Sequence, residues 1–303
     1  MNNIDFSCKQ GILLEDEDGT LRPMSEPYFQ AEEIWTDTWK ITSSGDFSYL
    51  LEGDDEGFVI DTGYGAGNIR AFCEMFIDKP VRRVANTHDH FDHTANNCYF
   101  DLCYMSAETQ PLATIPYPSF DGIVFPRDYA VEIVDDGDVI TLAGRDLLVL
   151  KIPDHAVGSL VFLDRKARIL FSGDELGMSF GKPLNGSVER WAGYMVKLKR
   201  HWGEYDAIYG GAGNVDPQIV EKYLDNSRYI LEGRQGAKFE PDPFPDFSRV
   251  TPDGKPIWRR RFPHPGDGPK DWNGDLEFKR KMDHAGCSII YDIRKINETK
   301  KGR

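Results

Sequence analysis

The run His88-Asp89-His90-Phe91-Asp92-His93 constrains this chain more than any other stretch, because it places three histidines and two aspartates in six positions. Such groups are costly to bury unless they are paired or hold a cation. The apolar run Val81 to Ala85 before it reads as a strand, and Thr94 to Phe100 after it as a short helix. Histidines at i and i+2 on a loop leaving a strand aim two imidazoles at one ion. The Asp92-His93 pair then turns towards a second ion about 3.5–4 Å away, the spacing of two-metal sites. A lone His-x-His is most simply a solvated loop; a run this dense in donors is not.

With 303 residues the chain can hold one large domain or two small ones. A net charge of −14 argues against nucleic acid or an anionic membrane as the main partner, since both require a basic footprint. No apolar run is long enough for a transmembrane helix, and Met1 to Lys9 lacks the apolar core of a signal peptide. The cysteines, Cys8, Cys73, Cys98, Cys103 and Cys287, are odd in number and form no C-x-x-C. Reduced thiols and a cytoplasmic location are therefore expected.

Three regions are expected: a polar N-terminal arm over 1–30, a main domain over 31–235, and a proline-rich extension over 236–303. The extension would pack on the domain or on a partner subunit, which leaves room for a homo-oligomer. Glu33 to Ile41, Phe47 to Leu51 and Phe58 to Ile60 read as an antiparallel meander with turn chemistry at 53–57. Asp61-Thr62-Gly63 leads to a helix with Ile69, Phe72, Cys73 and Phe76 on one face. A further short helix is expected from Ala107 to Leu112, then an irregular segment over 113–130. Strands follow at Val131 to Val134, Val139 to Leu142, Asp146 to Ile152, Ser159 to Leu163 and Arg168 to Phe171. A helix from Ser187 to Trp202, a strand from Ala207 to Tyr209, and a helix opened by Asp216-Pro217 as N-cap and N1 complete the domain. The last strand is Cys287 to Tyr291. Two strand-rich blocks, each ending in helices, imply an α/β fold: a four-layer αβ/βα sandwich with a C-terminal extension.

Two further potential ligands sit where strands end: His155 after the strand ending at Ile152, and Asp174 in Ser172-Gly173-Asp174. With Asp61-Thr62-Gly63, the 88–93 signature, His155 with Gly158-Ser159 behind it, and Ser172-Gly173-Asp174, the chain from about Glu33 to Leu231 resembles the metallo-β-lactamase fold superfamily, in its glyoxalase II-like metallo-hydrolase branch. The resemblance implies that His88, His90 and His155 hold a first metal. Asp92 and His93 would belong to a second, Asp174 would bridge the two, and Asp61 would orient ligands by hydrogen bonds. The implied cofactor is zinc, as one or two ions, with iron or manganese as substitutes. Three neutral imidazoles leave an ion nearly its full charge, so a bound water ionises near neutral pH, and Asp92 can position that water or take its proton.

The family's further histidine, in a Gly-His-Gly turn, is missing. Ala212 occupies the expected position in Gly210-Gly211-Ala212-Gly213-Asn214. Glu175, Asn214, Asp216, His264 and His284 are the candidate replacements. Tyr117, Phe120, Met178, Phe180, Trp191 and Tyr194 suggest an apolar or aromatic small-molecule substrate. The basic run Trp258-Arg259-Arg260-Arg261-Phe262 could grip a carboxylate or phosphate. The leading expectation is a metal-dependent hydrolase of a small carboxylic ester, thioester or lactone. Two alternatives stay open: a mononuclear non-haem iron oxidoreductase like the family's sulfur dioxygenases, and a catalytically weak ligand-binding protein.

Overall fold

Strands covered on both faces read as near-continuous apolar runs, and those at the centre of this chain do so. The computed structural model describes residues 13–15, 20–23, 29–43, 46–63, 68–115, 126–176, 182–240, 252, 257–259 and 276–298. In chain order, β1 (Leu13–Glu15) and β2 (Leu21–Pro23) pair antiparallel near the start. A seven-stranded sheet follows: β3 (Gln30–Trp35), β4 (Thr38–Ser43), β5 (Asp46–Glu52), β6 (Gly57–Ile60), β7 (Val81–Ala85), β8 (Leu102–Met105) and β9 (Ala130–Ile133), in that spatial order. The first four run antiparallel as the expected meander; β6 to β9 run parallel. Parallel neighbours need a crossover, and α1 (Ile69–Cys73) and α2 (Phe91–Thr94) lie in the first two.

The second sheet has six strands: β10 (Val139–Thr141), β11 (Asp146–Lys151), β12 (Leu160–Asp164), β13 (Ile169–Gly173), β15 (Ala207–Gly210) and β16 (Asn214–Val215). Before β15 come β14 (Lys182–Pro183), which joins another sheet, and α3 (Val188–Lys199); α4 (Ile219–Leu231) follows β16. Period-two alternation sorts the side chains. Leu147, Val149, Leu160 and Phe162 turn inward to Tyr49, Leu51, Phe58 and Ile60 of the first sheet. Their neighbours Leu150, Val161 and Leu163 turn outward to Trp191, Met195 and Leu198 of α3 and Val220 and Leu224 of α4. Leu50, Val59 and Val84 cover the other outer face with Ile69 and Cys73 of α1. Helix, sheet, sheet, helix is the expected sandwich.

Further on, β17 (Ala237–Lys238) pairs with β19 (Lys279–His284), and β18 (Ile257–Arg259) pairs with β1. The hairpin of β19 and β20 (Cys287–Asp292) places Met282, Ile289 and Tyr291 against the α3–α4 core, and β20 takes β14 as a parallel neighbour. Among the described residues, no helix is long and apolar enough to cross a membrane.

Three local expectations are corrected. Glu33 to Ile41 is not one strand: the chain turns at Thr36-Asp37, where Asp37 takes a positive φ of 59°, tolerable for aspartate. Residues 107–114 form turns instead of a helix, anchored by the Ser106 hydroxyl accepting from Thr109 N. At Asp216-Pro217 the side chain of Asp216 accepts from Gln218 N, so the residues form a turn and α4 starts at Ile219.

Arg145 ties the two sheets together at a fully buried position. It donates to the Asp164 carboxylate through Nε (2.6 Å), to Asp37 O (2.8 Å) and to Thr38 Oγ1 (2.5 Å). Removing one partner of such a pair leaves an uncompensated buried charge. Asp164→Ala should therefore cost about 3–5 kcal/mol in urea unfolding, far more than substitutions at the exposed Arg165–Glu204 pair.

Candidate metal centre

The donor groups leave the ends of three strands. The turn after β7 carries His88 and His90. The helix expected over 94–100 is replaced by α2, which starts at Phe91 with His90 as N-cap and ends at Thr94, and by a 3-10 turn at Asn97–Tyr99; Asp92 and His93 therefore lie on a helical turn and not on a loop. Fully buried Phe91 anchors that turn, and Thr94 Oγ1 donates back to His90 O (3.1 Å). His155 lies on the connection from β11 to β12, and Asp174 follows β13.

These elements bring two groups of donors together. His88, His90 and His155 offer ligand atoms within 4.8 Å of one another, and His88, His93 and Asp174 do the same. His155 Nε2 lies 3.0 Å from His90 Nδ1, and Asp174 spans the groups with Oδ2 3.5 Å from His155 Nε2 and Oδ1 3.5 Å from His93 Nε2. Asp92 Oδ2 lies 3.6 Å from His93 Nε2. Ligands bound at about 2.0–2.1 Å in tetrahedral geometry sit roughly 3.3–3.4 Å apart, close to these spacings. His88 and His93 are buried, whereas the side chains of His155 and Asp174 keep 18% exposure and form the open rim.

Hydrogen bonds set which nitrogens face the cluster. Asp61, buried and held at φ 56°, accepts from Thr87 N (2.7 Å), Thr87 Oγ1 (2.7 Å) and His93 Nδ1 (2.8 Å). A hydroxyl has one proton to give. Thr87 gives it to Asp61 and so accepts from His88 Nδ1 at 3.0 Å. That leaves His88 Nε2 without a proton, buried and without a hydrogen-bond partner, facing the cluster. The His93 carbonyl accepts from Thr62 N (2.9 Å) and Asn86 Nδ2 (2.9 Å), and Asn86 and Asn97 join their amides reciprocally. Gly173 is required beside this network: its φ is 49°, and a Cβ there would strike the Thr87 side chain.

Electrostatics favour a cation. Burial, reinforced by His90, drives the His155 imidazole down to about 3; burial also holds His88 well below the ordinary histidine range. Both are neutral and free to donate lone pairs at neutral pH. Burial opposes charge on His93, but Asp92, Asp61 and Asp174 outweigh it and hold that imidazole well above its ordinary range. A proton there takes the place that a metal would fill. The donor set of neutral imidazoles and carboxylates suits zinc, iron or manganese.

A family model described as the metallo-beta-lactamase superfamily matches residues 44–236. The chain belongs to this superfamily. It is 30% identical over 208 residues to the acyl-coenzyme A thioesterase MBLAC2 of Homo sapiens, covering 58% of this chain and 70% of that protein. Among solved structures, a metallo-beta-lactamase from Pontibacter korlensis superposes with a TM-score of 0.53 at 17% identity, covering 66% of this chain and 99% of its own. The metallo-beta-lactamase FIM-1 from Pseudomonas aeruginosa, in its mono-zinc form, gives 0.53 at 15% identity, covering 68% and 97%. At these identities the structures speak for the fold alone.

Within this superfamily member, the turn after β15 meets the donors through its backbone. A Cβ on Gly211 would strike Asp174 Oδ1 and His93 Cε1, while Ala212 faces solvent. None of the described replacement candidates joins the donor groups. Glu175 is buried and bonds the backbone of residues 154–155 and Lys182; Asp216 holds its own turn; Asn214 is exposed; His284 stacks on Tyr229 at 4.0 Å. His264 lies outside the described residues. Trp191 is a fully buried core residue, not a cleft wall, whereas Tyr194 is half-buried beside Pro153. Tyr117, Phe120, Met178, Phe180 and the 260–262 part of the basic run also lie outside. Sequence reasoning assigns no role to Thr62, Asn86, Thr87 or Asn97, although Thr62 belongs to the Asp61-Thr62-Gly63 motif: no spacing rule marks a residue that acts through another's hydrogen bond.

Three substitutions probe this arrangement. Asp61→Ala frees both His93 Nδ1 and Thr87, and should weaken zinc binding about 10–100-fold in a chelator competition. Gly211→Ala should reduce the affinity of the His93–Asp174 side in calorimetry, while Ala212→Gly leaves it unchanged.

Proposed function

We propose that this protein is a metal-dependent hydrolase of small carboxylic thioesters, esters or lactones, with a thioester as the bond to test first. The observation that carries the reading is the unpartnered, deprotonated Nε2 of buried His88, at the meeting point of both donor groups. The likeness to an acyl-coenzyme A thioesterase supports the choice of bond.

In this reading His88, His90 and His155 would hold one ion, Asp92 and His93 would serve a second position, and Asp174, in reach of both His155 and His93, would be shared by the two. A bound divalent cation supplies a Lewis acid and lowers the pKa of a water in contact with it. The remaining tasks fall to the chain. Asp61 and Thr87 hold the His88 and His93 rings in the tautomers their roles need. Asp92, its side chain 8% exposed beside His93, would take the water's proton as general base. The rim of His155 and Asp174 is the side from which a carbonyl substrate enters. No serine or cysteine nucleophile is required: Cys73, Cys98 and Cys103 are buried, and burial raises their thiols.

Elemental analysis of protein purified without added metal, with a panel of acyl-coenzyme A thioesters, esters and lactones, tests the proposal. One or two equivalents of zinc are expected. Hydrolysis should be lost with a chelator, restored by zinc, and absent from the His88→Ala/His155→Ala variant. Iron accompanied by oxygen uptake with a thiol or persulfide would replace the hydrolase reading with a redox one. No bound metal, and no metal-stimulated hydrolysis, would replace it with ligand binding.

A further inference from the structure

Beneath the metal centre lies a buried charged cluster that the proposed hydrolysis does not use. Glu175, 2% exposed, directs Oε1 at two backbone donors, Asp154 N (2.9 Å) and His155 N (2.6 Å). Its Oε2 pairs with Lys182 Nζ at 3.1 Å, and Lys182, 1% exposed, also lies 3.5 Å from Asp154 Oδ2. Asp154 accepts from Gly186 N (2.9 Å) and Asn185 N (3.3 Å). Asn185 returns the contact, its Nδ2 donating to the carbonyls of Asp154 and His155, each at 3.0 Å. Both backbone faces of the His155 peptide are thus gripped, the amide by Glu175 and the carbonyl by Asn185.

The cluster is expensive. A buried ion pair can often be replaced by apolar residues at no cost to stability, so stability alone is a weak reason for its presence. Burial pulls the Lys182 ammonium down, but Glu175 and Asp154 outweigh it and keep the group above the ordinary lysine range. Lys182 is further held over the Trp191 ring at 5.1 Å, and its strand β14 is paired to β20, with Leu184 N donating to Ile290 O (2.8 Å). Glu175, Lys182 and Asn185 each reach residues 154–155, and Glu175 shares its turn with Asp174.

We propose that Glu175, charge-balanced by Lys182 and assisted by Asn185, is a positioning residue that fixes the His155 imidazole for cation binding. This rests on the reading of His155 as a metal ligand. His155 sits on a connection and keeps part of its surface exposed, unlike His88 and His93, so its ring gains most from a clamp on its own peptide.

The test uses full-length Glu175→Ala, Glu175→Gln and Asn185→Ala, with zinc affinity by chelator competition, the visible spectrum of the cobalt-substituted protein, and thermal unfolding measured separately. Glu175→Ala should weaken zinc binding about 10–100-fold, as loss of an orienting partner does, and alter the cobalt spectrum. Glu175→Gln, which keeps an acceptor oxygen for both amides, should recover most of the affinity. Asn185→Ala removes only an exposed side chain; it should weaken zinc binding several-fold with little change in Tm, and it decides the question if Glu175→Ala does not fold. Wild-type affinity and an unchanged cobalt spectrum in Glu175→Ala and Asn185→Ala would overturn the proposal. If His155→Ala meanwhile lost zinc, the metal centre would stand without the clamp. A wild-type protein that takes up no zinc would remove both.

Discussion

One carboxylate organises the centre. Asp61 leaves β6 in a left-handed conformation that few non-glycine residues adopt, and from there it receives Thr87 through both backbone and hydroxyl and His93 through Nδ1. Those bonds fix two imidazole tautomers at once, one directly and one through the threonine. Without them His88 and His93 could present either nitrogen, and the pocket would lose its convergence of lone pairs. The strain at Asp61 is offset locally by the three hydrogen bonds its carboxylate accepts, and His88 Nε2 is left without a partner facing the donors.

The sandwich makes this carboxylate effective. Asp61 follows β6, the histidine run follows β7, His155 follows β11, Asp174 follows β13 and Gly211 follows β15. All lie beyond the carboxyl ends of their strands, where α/β sheets place their ligands. The inter-sheet core of Tyr49, Phe58, Phe162 and Phe171 fixes the distance between the two halves. Tyr49 adds a direct tie by donating to Gly210 O at 2.5 Å, holding the last turn against the donors.

Much of this was readable from residues. Apolar alternation identified the two strand blocks, and the density of histidine and aspartate at strand ends marked the residues that converge. What escaped has physical reasons. The early start of α2 depends on Phe91 finding a fully buried seat, which is a tertiary fact. Glu175 looked like a spare metal ligand because sequence places it beside Asp174, whereas adjacent residues after a strand face different ways. Trp191 looked like a cleft aromatic, but the periodicity of α3 could not say which layer its apolar face meets. Motif spacing points to Ala212 as the place of the family's histidine, whereas Gly211 is the residue of that turn at which an added side chain would meet Asp174 and His93.

The most direct test is anomalous diffraction at the absorption edge of the metal carried by crystals of the protein. The account predicts a peak bounded by His88 Nε2, His90 Nδ1 and His155 Nε2, with Asp174 on its open side. A peak away from these nitrogens, or none in protein that hydrolyses its substrate, would contradict it.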